Sequence, residues 1–233
     1  MKHDSFAPAS NRSLHLGLDW RWHRPKHRDS LPKGEPRNEE RPLRCESNGE
    51  IVSAPAQHLP FADTFFDFVD CGTVFAYTRN DEGLANELAR IVSPGGIVHM
   101  RVPADGPLAG LDAFNLHRYL VDISKRGLRP FETADIGWRR HYGESDVVKM
   151  FNPERFTLIE TRRSGAAASE ALRMSGFVFF RWWRASRNGY RRVSRLAERV
   201  LDIEDAFAWR YGFWLDATLR RNESVDQCES GPR

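Results

Sequence analysis

Two histidines in the middle of the chain have neighbours suited to proton transfer. His141 lies beside Tyr142, and His117 lies shortly after Asp112. A histidine with a pKa near neutral can take a proton from a hydroxyl group, and a carboxylate or phenol beside it can orient the ring. The sequence therefore makes His141 the first candidate for a general base and His117 the second, with Tyr142 or Asp112 as the orienting partner.

The same segment allows a purely structural interpretation. Arg139, His141 and Tyr142 come just before Glu144 and Ser145, either of which could cap a helix. In that case the three residues anchor the chain at a helix N-terminus and do no chemistry. The sequence leaves both interpretations open.

The cysteines and histidines show no metal-binding pattern. Cys45, Cys71 and Cys228 are widely spaced, odd in number and without a C-x-x-C pair, which favours reduced thiols over a disulfide framework. The eight histidines are equally scattered, with no H-E-x-x-H or comparable spacing. We therefore expect no metal.

Length and composition suit one globular domain. The chain has 233 residues, of which 40% are hydrophobic, enough for a sizeable core. No apolar run approaches the ~20 residues of a membrane-spanning helix, and the polar N-terminus lacks the apolar core of a secretory signal. We expect a cytoplasmic protein.

The elements that must position these residues are clearest between Leu59 and Pro103. The run from Phe66 to Val74 has the composition of a strand buried on both faces, and Ile97 to Val102 is a second apolar run. Ser93 to Gly96, with its proline and two glycines, predicts a chain reversal before the second run. The order predicts a β-α-β unit with parallel strands.

A helix is predicted between these two strands. Leu84, Leu88 and Ile91 recur at helical spacing and form one apolar face. Asn80 or Asp81 can accept hydrogen bonds from the free N–H groups of the first turn.

This stretch resembles a known family. The segments LPFADTFFDFV and ELARIVSPGG, followed by a strand that closes on Val102 and Pro103, look like the central block of class I S-adenosylmethionine-dependent methyltransferases of the small-molecule type. The resemblance implies an α/β fold with a doubly wound, mostly parallel sheet. It also implies S-adenosylmethionine as the cofactor, with Gly17, Ala56, Gln57, Cys71 and Gly72 at the positions that line it.

The N-terminal part departs from the family pattern. Gly17 can match the first glycine of the family's glycine-rich turn, but Leu18, Asp19 and Trp20 follow where further small residues belong. Between Trp20 and Gly49 we find no second strand to carry the acidic residue that takes the ribose hydroxyls. The cofactor end of the fold is therefore expected to be eroded.

An arginine-rich segment interrupts the second half of the chain. Phe177 to Ile203 has aromatic and aliphatic residues on one helical face and seven arginines on the other, which predicts one amphipathic helix, with Gly189 as a candidate break. Such a helix suits an anionic membrane interface, although packing on the domain with solvated arginines is equally open. Nucleic acid binding is not expected, because no recognised motif accompanies the basic face.

Strands are predicted at Phe156–Thr161 and Tyr211–Leu219, so the arginine-rich helix is an insertion before the last strand. The predicted organisation is a polar, partly flexible segment 1–48 with a remnant first strand at 14–19, a methyltransferase-like domain 49–222, and a disordered tail 223–233.

The resemblance implies methyl transfer from S-adenosylmethionine. The arginine-rich helix suggests a small-molecule or lipid-linked acceptor such as a glycolipid, with O-methylation and peripheral membrane contact through 177–203 as the finer expectations. The alternative is a binding or scaffold protein without turnover that docks through the same helix.

Overall fold

The computed structural model describes residues 12–18, 43–124, 139–166, 168–182, 187–206 and 211–223. The strands in these ranges are β1 Ser13–Leu18, β2 Leu43–Ser47, β3 Glu50–Ala54, β4 Phe66–Asp70, β5 Val92–Pro103, β6 Phe156–Ser164 and β7 Trp214–Arg221. The α-helices are α1 Asp81–Ile91, α2 Ala113–Ser124, α3 Glu144–Phe151, α4 Ala168–Trp182 and α5 Arg187–Ala206.

The strands form an open seven-stranded sheet in the order β3-β2-β1-β4-β5-β7-β6. β1 pairs parallel with β4, and β4 pairs parallel with β5. β2 is antiparallel to both β1 and β3, so the sheet is mixed. Because β2 alone is reversed among these five strands, β1, β3, β4 and β5 end at the same edge of the sheet, which we call the carboxyl edge. The predicted α/β class is confirmed.

The expectation that no second strand lies between Trp20 and Gly49 is wrong. β2 lies there and forms a hairpin with β3, and the turn residues Asn48 and Gly49 have φ of 49° and 81°. Both angles are positive, as the tight two-residue hairpin turn requires, and Asn-Gly is its strongest sequence signal. The strand escapes a periodicity analysis because only two of its five residues, Leu43 and Cys45, are apolar.

The β-α-β unit forms as predicted. Val69 lies opposite Val98 in the parallel pairing of β4 and β5. Asn80 caps α1 by accepting a hydrogen bond from the Gly83 N–H at 2.8 Å. The apolar face of α1 is fully buried and includes Leu84 and Leu88. This packing holds the carboxyl edge of the sheet in place.

The bounds of the two strands differ from the prediction. β4 ends at Asp70 and a 3₁₀ turn follows at Val74–Tyr77, while β5 already begins at Val92. Ser93 to Gly96 form a bulge within β5, because Phe66 pairs with Val92 and Phe68 with Ile97. A Cβ on Gly96 would lie 2.7 Å from Val92 Cγ1 and 2.8 Å from the Ser93 oxygen, so this bulge requires glycine.

The prediction of a single helix from Phe177 to Ile203 is wrong. Its sequence is divided between α4 and α5, which pack against each other, and residues 183–186 lie outside the described part of the chain. Gly189 lies within α5 rather than at a break. Helical periodicity cannot separate one long helix from two consecutive helices. The strands predicted at Phe156–Thr161 and Tyr211–Leu219 are present as β6 and β7.

A carboxylate fixes the pairing of these two helices. Glu204, near the end of α5, accepts hydrogen bonds from the N–H groups of Ala168 and Ser169 at 2.7 and 3.3 Å and from the Ser169 hydroxyl at 2.6 Å. Glu204 therefore supplies the cap of α4 from a neighbouring helix, and the two helices run in opposite directions.

Backbone contacts divide the chain into two compact units. The C-terminal unit comprises residues 101–143 and 162–216, and the N-terminal unit comprises residues 2–100, 144–161 and 217–233. The predicted flexible segment and tail fall largely on residues 19–42 and 224–233, which lie outside the described residues. In the part of the chain that the structure describes, no helix combines the length and apolar character needed to span a bilayer.

Candidate functional site

The residues predicted to line a cofactor lie along the carboxyl edge of the N-terminal unit. Gly17 is the penultimate residue of β1, Ala56 and Gln57 come just after β3, and Cys71 and Gly72 follow β4 directly. β1, β3 and β4 run in the same direction, so their ends meet at one edge of the sheet. Ligands of open α/β sheets bind at this edge.

The two glycines provide bare backbone there. Among the described residues, no atom would lie within 4 Å of a Cβ on Gly17. Gly72 has φ of 46°, and its added Cβ would lie 3.7 Å from the Leu16 carbonyl oxygen. The ends of β1 and β4 are therefore adjacent, and each offers the bare backbone of a glycine, which fits a cofactor that approaches the backbone closely.

An acidic residue for a ribose is not found where the family pattern would place it. Glu46 lies on β2, but it pairs with His15 rather than with the end of β1. The antiparallel direction of β2 thus carries Glu46 away from the carboxyl edge. Among the described residues, the edge fits the cofactor through its glycines and not through a carboxylate at the end of β2.

Three side chains that the sequence analysis did not select form a row across the sheet. His15, Asp70 and His99 lie opposite one another on β1, β4 and β5. The Nδ1 atoms of His15 and His99 lie 3.5 and 3.3 Å from Asp70 oxygens. Only strand register brings these residues together, so no local pattern identifies them.

Asp70 links this row to the glycine turn. Its Oδ1 accepts a hydrogen bond from the Gly72 N–H at 3.0 Å. Burial alone would raise the pKa of Asp70, but the hydrogen bonds from His99 and Gly72 and the histidine charges hold the pKa below its ordinary value. Asp70 therefore stays ionised and stabilises the positive φ of Gly72.

Cys71 lies at this edge as a buried thiol. Its side chain is fully buried, and burial, together with the Asp70 charge, raises its pKa well above the ordinary value. Burial likewise raises the pKa of Cys45 to about 11. Neither thiol has the thiolate character of a nucleophile. In the described ranges, no three His, Cys, Asp or Glu side chains are placed to hold a metal ion.

The predicted base lies in the C-terminal unit, next to a buried charge cluster. His141 Nε2 lies 3.2 Å from Asp112 Oδ2, and the His141 side chain is 15% exposed. Arg139 Nε donates to the same Asp112 oxygen at 2.7 Å, and Arg139 Nη1 donates to Glu170 Oε2 at 2.9 Å. Burial alone would raise the pKa of Asp112, but His141 and Arg139 hold it below its ordinary value.

Asp112 also shapes the start of α2. Its Oδ1 accepts hydrogen bonds from the N–H groups of Phe114 and Asn115 at 2.9 and 3.2 Å. The side chain of Asn115 in turn pairs with the Arg139 backbone in both directions. One carboxylate thus caps a helix, neutralises Arg139 and faces His141.

The other predicted residues are placed differently. His117 lies on α2 and is half-buried, while Tyr142 is buried and its backbone bonds to Pro103 and Asp105 beside the end of β5. Of the two residues predicted to orient His141, Asp112 is the one whose side chain lies beside the His141 ring. The segment from Arg139 also leads directly into α3, so the anchoring interpretation stays open beside the chemical one.

One sequence-family model matches the chain. Residues 31–100 match the model described as a methyltransferase domain, and this range contains the β2–β3 hairpin and the β-α-β unit up to Met100. No curated protein sequence matches the chain.

Solved structures of similar fold include three methyltransferases. Phosphoethanolamine N-methyltransferase 2 of Haemonchus contortus with S-adenosylmethionine has 14% identity and a TM-score of 0.43, covering 73% of this chain and 36% of that one. Loganic acid methyltransferase with S-adenosylhomocysteine has 12% identity and a TM-score of 0.44, covering 75% and 67%. A methyltransferase of Methanosarcina mazei has 16% identity and a TM-score of 0.40, covering 72% and 64%.

This chain therefore spans only part of these proteins, and such distant likeness does not identify an acceptor. The match over residues 31–100 supports S-adenosylmethionine as the cofactor. That match confirms the resemblance of the chain to the class I S-adenosylmethionine-dependent methyltransferases.

Proposed function

We propose that this chain transfers a methyl group from S-adenosylmethionine to a hydroxyl group of a small or lipid-linked acceptor. The observation that carries the proposal is the pair of His141 and Asp112, 3.2 Å apart, within a chain that matches a methyltransferase domain. When bound, S-adenosylmethionine supplies a methyl group already activated by the positive sulfonium.

In this proposal the residues of the protein position the acceptor and take its proton. Because Nε2 of His141 faces Asp112, the proposal assigns the other ring nitrogen, Nδ1, as the atom that takes the proton. The Asp112 carboxylate then lies beside the imidazolium that forms and stabilises it. Arg139 keeps that carboxylate ionised. A hydroxyl acceptor needs such a base, which supports O-methylation.

Gly17 and Gly72 are proposed to give the cofactor access to the backbone at the carboxyl edge, with Ala56, Gln57 and Cys71 beside them. The space beside Gly17 gives a direct test by isothermal titration with S-adenosylhomocysteine. Wild type is expected to bind at micromolar concentration, and Gly17→Trp is expected to lose binding because the indole fills that space. Among the described residues, no atom lies within 4 Å of the first atom of the new side chain, and a melting curve of the variant checks that the fold is retained.

The matched control is Ile51→Trp, which places the same side chain at a 47% exposed position of β3. We expect it to bind as wild type does. Absence of heat with wild type at millimolar ligand would contradict the proposal.

The finer part of the proposal is a lipid-linked acceptor reached at a membrane surface. Exposed arginines recur along one face of α5 at Arg192, Arg195 and Arg199. Leu196 and Ile203 are also 49% and 63% exposed. Cationic and apolar side chains together support contact with anionic lipid.

Charge reversal tests this contact. Co-sedimentation with phosphatidylglycerol vesicles is expected to weaken about tenfold or more in Arg195→Glu/Arg199→Glu, because each arginine near such a surface contributes about 1 kcal/mol. Arg12→Glu/Arg220→Glu, with the same change in net charge at exposed positions of the N-terminal unit, is expected to bind as wild type. Equal binding by all three proteins would rule out contact through α5.

The second candidate is a binding or scaffold protein without turnover that docks through the arginine-rich helices. The position of Glu46, away from the carboxyl edge, favours it, because a ribose partner is then missing at the end of β2. Vesicle binding without any S-adenosylhomocysteine binding would establish this second candidate over the first.

A further inference from the structure

A cavity of about 460 Å³ lies in the N-terminal unit, away from the carboxyl edge. It is lined by Thr64 just before β4, by Arg90 of α1, by Arg155 before β6 and by Arg221 at the end of β7. The length of β4, roughly 13 Å at 3.3 Å per residue, separates this end from Gly72. The cavity is therefore distinct from the proposed cofactor edge.

Two of the three arginines are not neutralised. Arg90 bonds to the carboxylates of Glu87 and Asp63, both at 2.6 Å. Arg155 Nη1 donates instead to the amide oxygen of Asn86 at 3.0 Å, and Arg221 donates to the Val92 carbonyl. Among the described residues, neither of these guanidinium groups pairs with a carboxylate. A guanidinium group has five N–H donors, so Arg155 and Arg221 each keep further donors beyond the one used in these hydrogen bonds.

These two charges also repel each other. The pKa of Arg221 is lowered, first by burial and then by the positive charge of Arg155, while the charge of Asp63 offsets part of this effect. Like charges placed together at the wall of a cavity cost free energy, and an anion between them lowers that cost. The arrangement therefore favours a ligand of negative charge.

The carboxylates at the cavity do not cancel this field. Asp63 is already bonded to Arg90 and its side chain is 72% exposed, and Glu154 and Glu223 are also exposed. Water screens exposed charges strongly, and this applies to Arg155 as well as to the carboxylates, whereas Arg221 is half-buried. Arg221 is therefore the least screened of the lining charges that have no ion-pair partner among the described residues, and Arg155 contributes its free N–H donors.

We propose that this cavity binds a small organic anion, a carboxylate or a phosphate monoester, between Arg155 and Arg221. The volume lies within the range of about 300–1,000 Å³ that is usual for small-molecule sites. It is larger than one phosphate group needs, so the ligand has a body beyond its anionic group. Guanidinium groups bind both carboxylates and phosphates through paired N–H donors, so the chemistry is shared by the two classes.

Isothermal titration of the full chain tests the site with citrate, phenyl phosphate and inorganic phosphate at constant ionic strength. Saturable binding of citrate identifies a carboxylate site, and binding of phenyl phosphate identifies a phosphate ester site. Inorganic phosphate is expected to bind more weakly than the organic probe, because it leaves most of the cavity unfilled. No saturable heat with any of the three probes overturns the proposal.

Two single variants locate the binding. Arg155→Gln is expected to lower the affinity for the organic anion at least tenfold. Arg220→Gln, at an exposed position next to Arg221 on the same strand, is expected to leave that affinity unchanged. Without ligand, Arg155→Gln is expected to melt at or above the wild-type temperature, since it relieves the repulsion at Arg221. S-adenosylhomocysteine affinity is expected to stay unchanged, which separates this site from the cofactor edge. Equal weakening in both variants would mean a general charge effect and no site.

Discussion

Replacing Arg139 by leucine is expected to destabilise the fold by about 3–5 kcal/mol. The Arg139 side chain is 1% exposed and bonds to two buried carboxylates, Asp112 and Glu170. Leucine fills part of the space but leaves both carboxylates in the interior without a cation. Breaking a buried pair by removing one partner costs far more than the pair itself contributes, because the remaining charge is not solvated. Urea unfolding at neutral pH measures the loss.

A surface pair provides the control. Arg12 bonds to Asp67 at 3.0 Å, but the Arg12 side chain is 49% exposed. Arg12→Leu is therefore expected to cost less than about 1 kcal/mol. A combined Arg139→Leu/Asp112→Asn/Glu170→Gln variant is expected to recover stability, because no uncompensated charge remains. Similar losses for Arg139→Leu and Arg12→Leu would contradict the assignment of Arg139 as a buried counterion.

The pH dependence of this loss has a definite sign. In wild type the pKa of Asp112 is lowered, so its contribution to stability is present above the unfolded value of about 3.9 and disappears as pH falls through the lowered pKa. Without Arg139, the pKa of Asp112 is expected to rise, because two of the causes that lower it are lost while burial remains. The deficit of Arg139→Leu is therefore expected to shrink as pH falls from 7 towards the acid range, when protonation removes the buried charge.

Replacing His141 by glutamine is expected to lower kcat about 10²–10⁴-fold, the usual contribution of a general base. The assay is release of S-adenosylhomocysteine with an acceptor that wild type methylates. Affinity for S-adenosylhomocysteine is expected to stay unchanged, because the change is made at the proposed base and not at the cofactor edge.

Two further histidine variants sharpen this test. His58→Gln, at an exposed position, is expected to behave as wild type. His117→Gln is expected to retain most of the rate, since Asp112 faces His141. A slow His117→Gln enzyme beside a fast His141→Gln enzyme would transfer the role of base to His117.

The parts of the fold that the sequence predicts are those encoded locally. The unit of β4, α1 and β5 follows from apolar periodicity, a capping asparagine and a glycine-containing bulge, all within one continuous stretch. β6 and β7 follow from their composition in the same way. Parallel pairing then places Gly17 and Gly72 at one edge, although only their positions, and not their roles, come from the fold.

The parts that the sequence misses depend on distant pairing. Asp70 meets His15 and His99 only because three strands share one register. Glu170 reaches Arg139 from a helix far along the chain. Residue type alone cannot reveal such partners, since an isolated aspartate or glutamate has the composition of ordinary surface.

The antiparallel pairing of β1 with β2 has a consequence for how this chain can vary in length. β1 ends at Leu18, and β2 begins at its partner Leu43, so the two ends of the intervening sequence are already side by side. Doubling the length of a flexible connection between fixed ends costs only about 0.6 kcal/mol in closure entropy. Insertions or deletions between these two residues can therefore accumulate without disturbing the register of the sheet, which makes this connection the natural place for related chains to diverge.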